Sequence, residues 1–166
     1  MLLNLSWLVL LLTPAPPVCD CMYIENLQTW QIEEAKRSDC VFIAEVLSID
    51  NNLGKFDFRV VESFDGDAIG NMYTGVYDMF CGPHIGNEGN YLLYLRFTDN
   101  GLLQVNSCGV SRSFEHPEYG IPVPKEMAPY PKEGGEQAWL KEFNKHAMVF
   151  LQQEIERLRS LTNDTI

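Results

Sequence analysis

Five cysteines, Cys19, Cys21, Cys40, Cys81 and Cys108, carry most of the chemistry open to this chain. Two of them flank one aspartate, Cys19-Asp20-Cys21, at the point where an uncharged apolar leader ends. Residues 1–18 contain no charged side chain, and an unbroken apolar block runs from Trp7 to Leu12. That block is too short to cross a bilayer and has the form of a secretory signal peptide over 1–18. Cleavage before Cys19 puts a free α-amine, a backbone carbonyl and a disulfide-capable thiol on one residue. Cleavage after Ala15 competes with it. A bacterial lipoprotein, with lipid on Cys19, is a further reading, although Pro16-Pro17-Val18 lacks the small residue such processing favours.

Export implies a secreted, extracellular protein in an oxidising compartment, where five cysteines give two disulfides and one odd thiol. Any chosen four allow three connectivities. Cys40 is the best candidate for the odd thiol, because it opens the strand-like run Cys40-Val41-Phe42-Ile43-Ala44 and a reduced cysteine packs as a small hydrophobe. For Cys19 and Cys21 the plain reading is a structural staple. A thiol–disulfide oxidoreductase lacks the surrounding βαβ pattern. A structural zinc site from Cys19, Cys21, Cys81, His84 and Cys108 lacks the repeated two-residue spacing, and export argues against it.

Nothing in the chain marks an enzyme or a cofactor site. There is no Ser/His/Asp arrangement, phosphate-cradling glycine loop or zincin histidine pair. The acidic residues are scattered through turns and helix faces, where solvated charge is the ordinary expectation. His116 belongs to a loop and His146 to a helix. The net charge of −11 disfavours nucleic acid and anionic membranes as partners. A protein partner remains, and no second apolar segment offers a transmembrane span.

The elements that must position the cysteines follow from periodicity. Leu27–Arg37 has helical spacing, with Leu27, Trp30 and Glu34 in step. Val41–Ile49 and Phe56–Phe64 are β-branched and aromatic and are joined by Asp50-Asn51-Asn52-Leu53-Gly54 as a hairpin. Asn71–Tyr77 is a third strand, and Tyr91–Phe97 and Leu102–Asn106 pair across Asp99-Asn100-Gly101. Five short strands after one helix predict a small barrel, closed or partly closed, with an open sandwich as the alternative. Prolines and glycines make 116–135 a connector. Over 136–162, Trp139, Phe143, Ala147, Phe150, Leu151, Ile155 and Leu158 form the stripe of an amphipathic helix that packs on the barrel, with a self-associating helix as the alternative. Asn163-Asp164-Thr165 fits an N-glycosylation pattern.

The ordered set Cys19-Asp20-Cys21, Ser38-Asp39 before Val41–Val46, Phe64-Asp65-Gly66, Cys81-Gly82, Gly89-Asn90-Tyr91-Leu92-Leu93-Tyr94, Gly101-Leu102-Leu103 and Cys108 resembles a known family. It is similar to the netrin-like domain of the tissue inhibitors of metalloproteinases (TIMPs) and their simpler relatives, over a domain of residues 19–115. The resemblance implies a mainly β fold, a five-stranded OB-type barrel with a short N-terminal helix and here a long C-terminal helix. It implies the disulfides Cys19–Cys81 and Cys21–Cys108. It further implies a metalloprotease inhibitor in which the amine and carbonyl of Cys19 chelate the catalytic zinc of the partner protease. Asp20 would then enter the adjacent specificity pocket, and Met22 and Tyr23 would lie along the cleft. Cys21 completes this contact set. Departures from the family pattern are the carboxylate at Asp20, the lack of a sixth cysteine and one helix in place of a disulfide-rich C-terminal domain. The alternative is a secreted, disulfide-stapled interaction module without inhibitory activity, with or without a lipid anchor.

Overall fold

The computed structural model describes residues 19, 21, 26–66, 69–83 and 85–163. Helix α1 (Leu27–Arg37) is followed by strands β1 (Cys40–Asp50), β2 (Lys55–Ser63), β3 (Met72–Val76), β4 (Gly89–Phe97), β5 (Leu103–Val105) and β6 (Arg112–Ser113). Helix α2 (Glu136–Asn163) closes the order. Strands run β1-β2-β3-β5-β4, and β4 pairs back onto β1, from Cys40↔Leu95 to Val46↔Gly89. The result is a closed five-stranded OB-type barrel. Every pair is antiparallel except β3 with β5, which are parallel at Gly75↔Leu103. The sandwich alternative is thereby set aside.

Closure depends on β1, which is long and irregular. Its pairing with β2 shifts register between Ile43 and Ala44 and again between Val46 and Ser48. Such bulges bend a strand, so one β1 can serve both β2 and β4. Strand alternation then divides its side chains between two cores. Phe42, Ala44 and Val46 point into the barrel with Phe56, Phe58, Val60, Leu93 and Leu95. Val41 and Ile43 point outward with Leu92 and Tyr94 and are covered by Leu151, Ile155 and Leu158 of α2. Gly75 is required inside: a Cβ there would lie 2.3 Å from the Phe56 ring.

Both helices lie where their periodicity puts them. Asn26 caps α1 by accepting from the Thr29 N–H at 3.0 Å, and Lys36 and Arg37 occupy its last turn. The C-terminal half of α2 seals the barrel wall, while Phe143 and Ala147 of its first half pack on Ile121 in the connector. Trp139 of that half also donates from Nε1 to the Ala128 carbonyl at 2.7 Å. The connector has no helix or strand, yet α2 gives it a surface to rest on.

Two observations differ from the sequence reading. Strand β6 was not foreseen, because two residues carry no periodicity. The acidic residues are not all solvated: Glu34, Glu118 and Glu154 are buried. Glu154 accepts from Tyr94 Oη at 2.6 Å, from Gln31 Nε2 at 2.8 Å and from Arg112. Glu118 accepts from Asn144 Nδ2 at 2.8 Å. Each of these carboxylates meets side-chain donors inside the protein.

Candidate functional site

Cys19 is bonded to Cys81 and Cys21 to Cys108, with Cα separations of 5.5 and 5.4 Å. This is the pairing that the netrin-like resemblance implies. Cys40 is buried and belongs to neither bridge. The two bridges close loops of 62 and 87 residues, and each stabilises by about 4 kcal/mol in the chain-entropy model.

The anchor points belong to two different loops that touch. Cys81 lies between β3 and β4, and Cys108 lies between β5 and β6. Gly82, at φ +102°, stands where a Cβ would be only 1.6 Å from the Ser107 carbonyl oxygen. Only glycine allows that approach, and it brings the neighbours Cys81 and Cys108 together. Cys19 and Cys21 are therefore held side by side on one edge of the barrel, both exposed.

Hydrogen bonds brace this edge from both sides. Tyr77 N–H donates to the Gly54 carbonyl at 2.9 Å and Tyr77 Oη to Asn51 Oδ1 at 2.8 Å, which ties the β1–β2 hairpin to the Cys81 loop. Asp78 Oδ1 accepts from the N–H groups of Phe80 and Cys81, at 2.9 and 3.2 Å, and folds that loop into a tight turn. On the other side, Asn106 Nδ2 donates to both oxygens of Glu34, at 2.9 and 3.0 Å, and ties the Cys108 loop to α1. Burial pushes the Glu34 carboxyl above its ordinary range, against the pull of Asn106, Arg96 and Arg37.

Three large apolar side chains stand in solvent along the braced loops. Leu53 is 62% exposed at the hairpin tip, Met79 46% and Phe80 70% in the turn before Cys81. The hairpin tip and the turn adjoin, since a Cβ on Gly54 would lie 3.2 Å from Met79 Cγ. Isolated exposed hydrophobics need no explanation, but a row beside two staples has the make-up of a docking edge. Sequence reasoning passed over these residues. The available signal was a pair of large apolar residues between Asp78 and a half-cystine, in a turn too short to bury them.

Asp20, Met22, Tyr23 and His84 lie outside the described residues, as does the leader. The imagined zinc set loses its ligands in any case, because four of its sulfurs are spent in disulfides. Neither sulfur of the Cys-x-Cys pair bonds the other. His116 is partly buried, with Nδ1 3.3 Å from Glu118 Oε1 and its ring 5.3 Å from that of Tyr119. The Glu154 carboxylate of α2 is buried and held by Tyr94, Gln31 and Arg112, while Arg112 Nε beside it has no hydrogen-bond partner among the described residues. Among the described residues no group of three or more His, Cys, Asp and Glu is placed to hold a metal ion, and no helix is long and apolar enough to cross a membrane.

No family model, curated protein or solved structure matches this chain.

Proposed function

We propose that the protein is a secreted protein-binding domain whose stapled edge inhibits a zinc endopeptidase. One observation carries this reading: two disulfides fix Cys19 and Cys21 side by side on touching loops, next to Leu53, Met79 and Phe80. An arm tied at two points has lost most of its freedom before binding, so less of the contact energy goes into ordering it. With Cys19 at the mature terminus, its α-amine and carbonyl form a five-membered chelate. A catalytic zinc keeps an open position that such a chelate fills, displacing the water that attacks substrate. An α-amine with a pKa near 8 gives up its proton readily to a metal ion. Two disulfides suit an extracellular protein.

The test begins with intact mass and N-terminal sequencing of the exported form, which should start at an unmodified Cys19. That form is then titrated against a panel of zinc endopeptidases. Blocking the amine by Nα-acetylation, or by one extra residue before Cys19, should abolish inhibition. Equal inhibition by the blocked protein removes chelation from the account. Asp20→Thr should inhibit more tightly, because a carboxylate is costly in an apolar pocket. The second reading, an interaction module without inhibitory activity, draws on the exposed Leu53, Met79 and Phe80, which dock on a partner without any zinc. Binding that survives the blocked amine selects it.

A further inference from the structure

We propose that the notch beside the Cys21–Cys108 staple is a carboxylate subsite, which receives one acidic side chain of a protein partner lying across this edge. The notch has a volume of about 380 Å³, and Trp30, Glu34, Arg37, Arg96, Asn106 and Cys108 are among its lining residues. It uses neither the Cys19 amine nor a zinc ion, so it stands apart from the inhibitor reading.

The arginines single it out. Arg59 bonds Glu45, Arg112 bonds Glu154, Arg157 bonds Gln31 and Arg159 bonds Glu62. Arg37 and Arg96 are the two that remain, and among the described residues neither guanidinium has a hydrogen bond or an ion pair. Both are exposed, and both line this notch although they come from different elements, α1 and β4. Both act on the buried Glu34 carboxylate through charge, and among the described residues neither closes an ion pair with it. The C-terminal end of α1 favours a cation at Arg37, and both arginines offset the charge of the buried Glu34.

Local charge sets the ligand class. Glu34 is the carboxylate both arginines face, and its own donor is the neutral Asn106 amide. Glu33, also in the notch, is taken up by Lys36 at 3.0 Å. Among the described residues of the notch, two guanidiniums against one carboxylate leave an excess of one positive charge, in a protein of net charge −11. That excess accommodates one carboxylate, held by planar N–H forks, with the Trp30 ring as a flat wall. A polyanion would meet the negative surface around it.

The test uses the oxidised protein, labelled with nitrogen-15, and the probe acetyl-Ala-Glu-Ala-amide. The Trp30 indole and the Arg37 and Arg96 Nε–H resonances should shift saturably, with half-saturation on the order of 1 mM. Arg96→Gln should weaken that response about tenfold while leaving the spectrum of the barrel core unchanged, and Arg37→Gln should act in the same direction. The glutamine analogue of the probe should leave these signals in place. The proposal is overturned if no saturable shift occurs, if Arg96→Gln and Arg37→Gln leave the response intact, or if the glutamine peptide or inorganic phosphate matches the glutamate peptide.

Discussion

Beneath α2 the barrel wall is covered by Leu151, Ile155 and Leu158 and by Glu154, whose oxygens are taken by Tyr94, Gln31 and Arg112. At the Cys19 edge, by contrast, Leu53, Met79 and Phe80 stand in solvent above two disulfides. One flank hides polar groups and the other displays apolar ones. On the proposed function, the difference puts binding and stability on separate residues. Side chains reserved for a partner cannot also be buried, so the edge loses their packing energy and has its order supplied covalently. The covered flank is ordered by packing, hydrogen bonds and ion pairs, without a disulfide.

The comparison breaks most sharply if the staples are removed. Cys21→Ser combined with Cys108→Ser opens a loop of 87 residues, and unfolding in urea should show a loss of about 4 kcal/mol. A loss below about 1 kcal/mol would mean that non-covalent contacts order the edge after all. On the covered flank, Glu154→Ala leaves the Arg112 guanidinium buried without its counter-charge. Breaking such a pair costs about 3–5 kcal/mol, since arginine cannot shed its charge. A much smaller effect would show that the apolar residues of α2 hold that flank unaided.

Legibility in the sequence divides along the same line. The barrel strands, α1 and the stripe of α2 were readable because each buries a face at a fixed period, 2.0 or 3.6 residues. The five cysteines were readable as two bridges and one odd thiol by type and number. Their pairing was not, because connectivity depends on which loops meet, and residue spacing says nothing of that. Here the meeting depends on Gly82 against Ser107, a contact between loops far apart in the chain. Glu154 was misplaced for a related reason: its three donors come from α1, β4 and β6, so no local pattern marks it as buried. Leu53, Met79 and Phe80 went unnoticed because loop residues have no period to violate.

Acidity sharpens the contrast through a carboxyl on each side. The Glu34 carboxyl is raised by burial, so its contribution is full below its unfolded value and is lost as pH rises through its folded one. The Glu62 carboxyl is lowered by Arg159, which holds it at 2.8 and 2.7 Å. Its contribution is present above the unfolded value and is lost as pH falls. Relative to Glu34→Gln, the wild type should therefore gain stability as pH falls from neutrality toward about 4.5, the ordinary carboxyl value. Relative to Glu62→Gln, it should lose stability once pH drops below about 4.5. Chemical denaturation across that range reads both slopes. Parallel slopes for the two variants would remove the distinction.

The smallest effect on folding is expected where the effect on binding is largest. Phe80→Ser and Leu53→Ser delete side chains already in solvent, so unfolding free energies should stay within about 0.5 kcal/mol of wild type. An apolar residue that seats in a partner's pocket contributes more than about 1 kcal/mol to binding. Each substitution should therefore weaken capture of a protein partner about tenfold while the melting curve is unmoved. A stability loss of about 2 kcal/mol would instead identify the side chain as part of the fold. The staples would then be holding a core margin in place rather than presenting a surface. Unchanged stability with unchanged binding would move the partner away from the hairpin and the Cys81 turn, toward the notch walled by Trp30, Arg37 and Arg96.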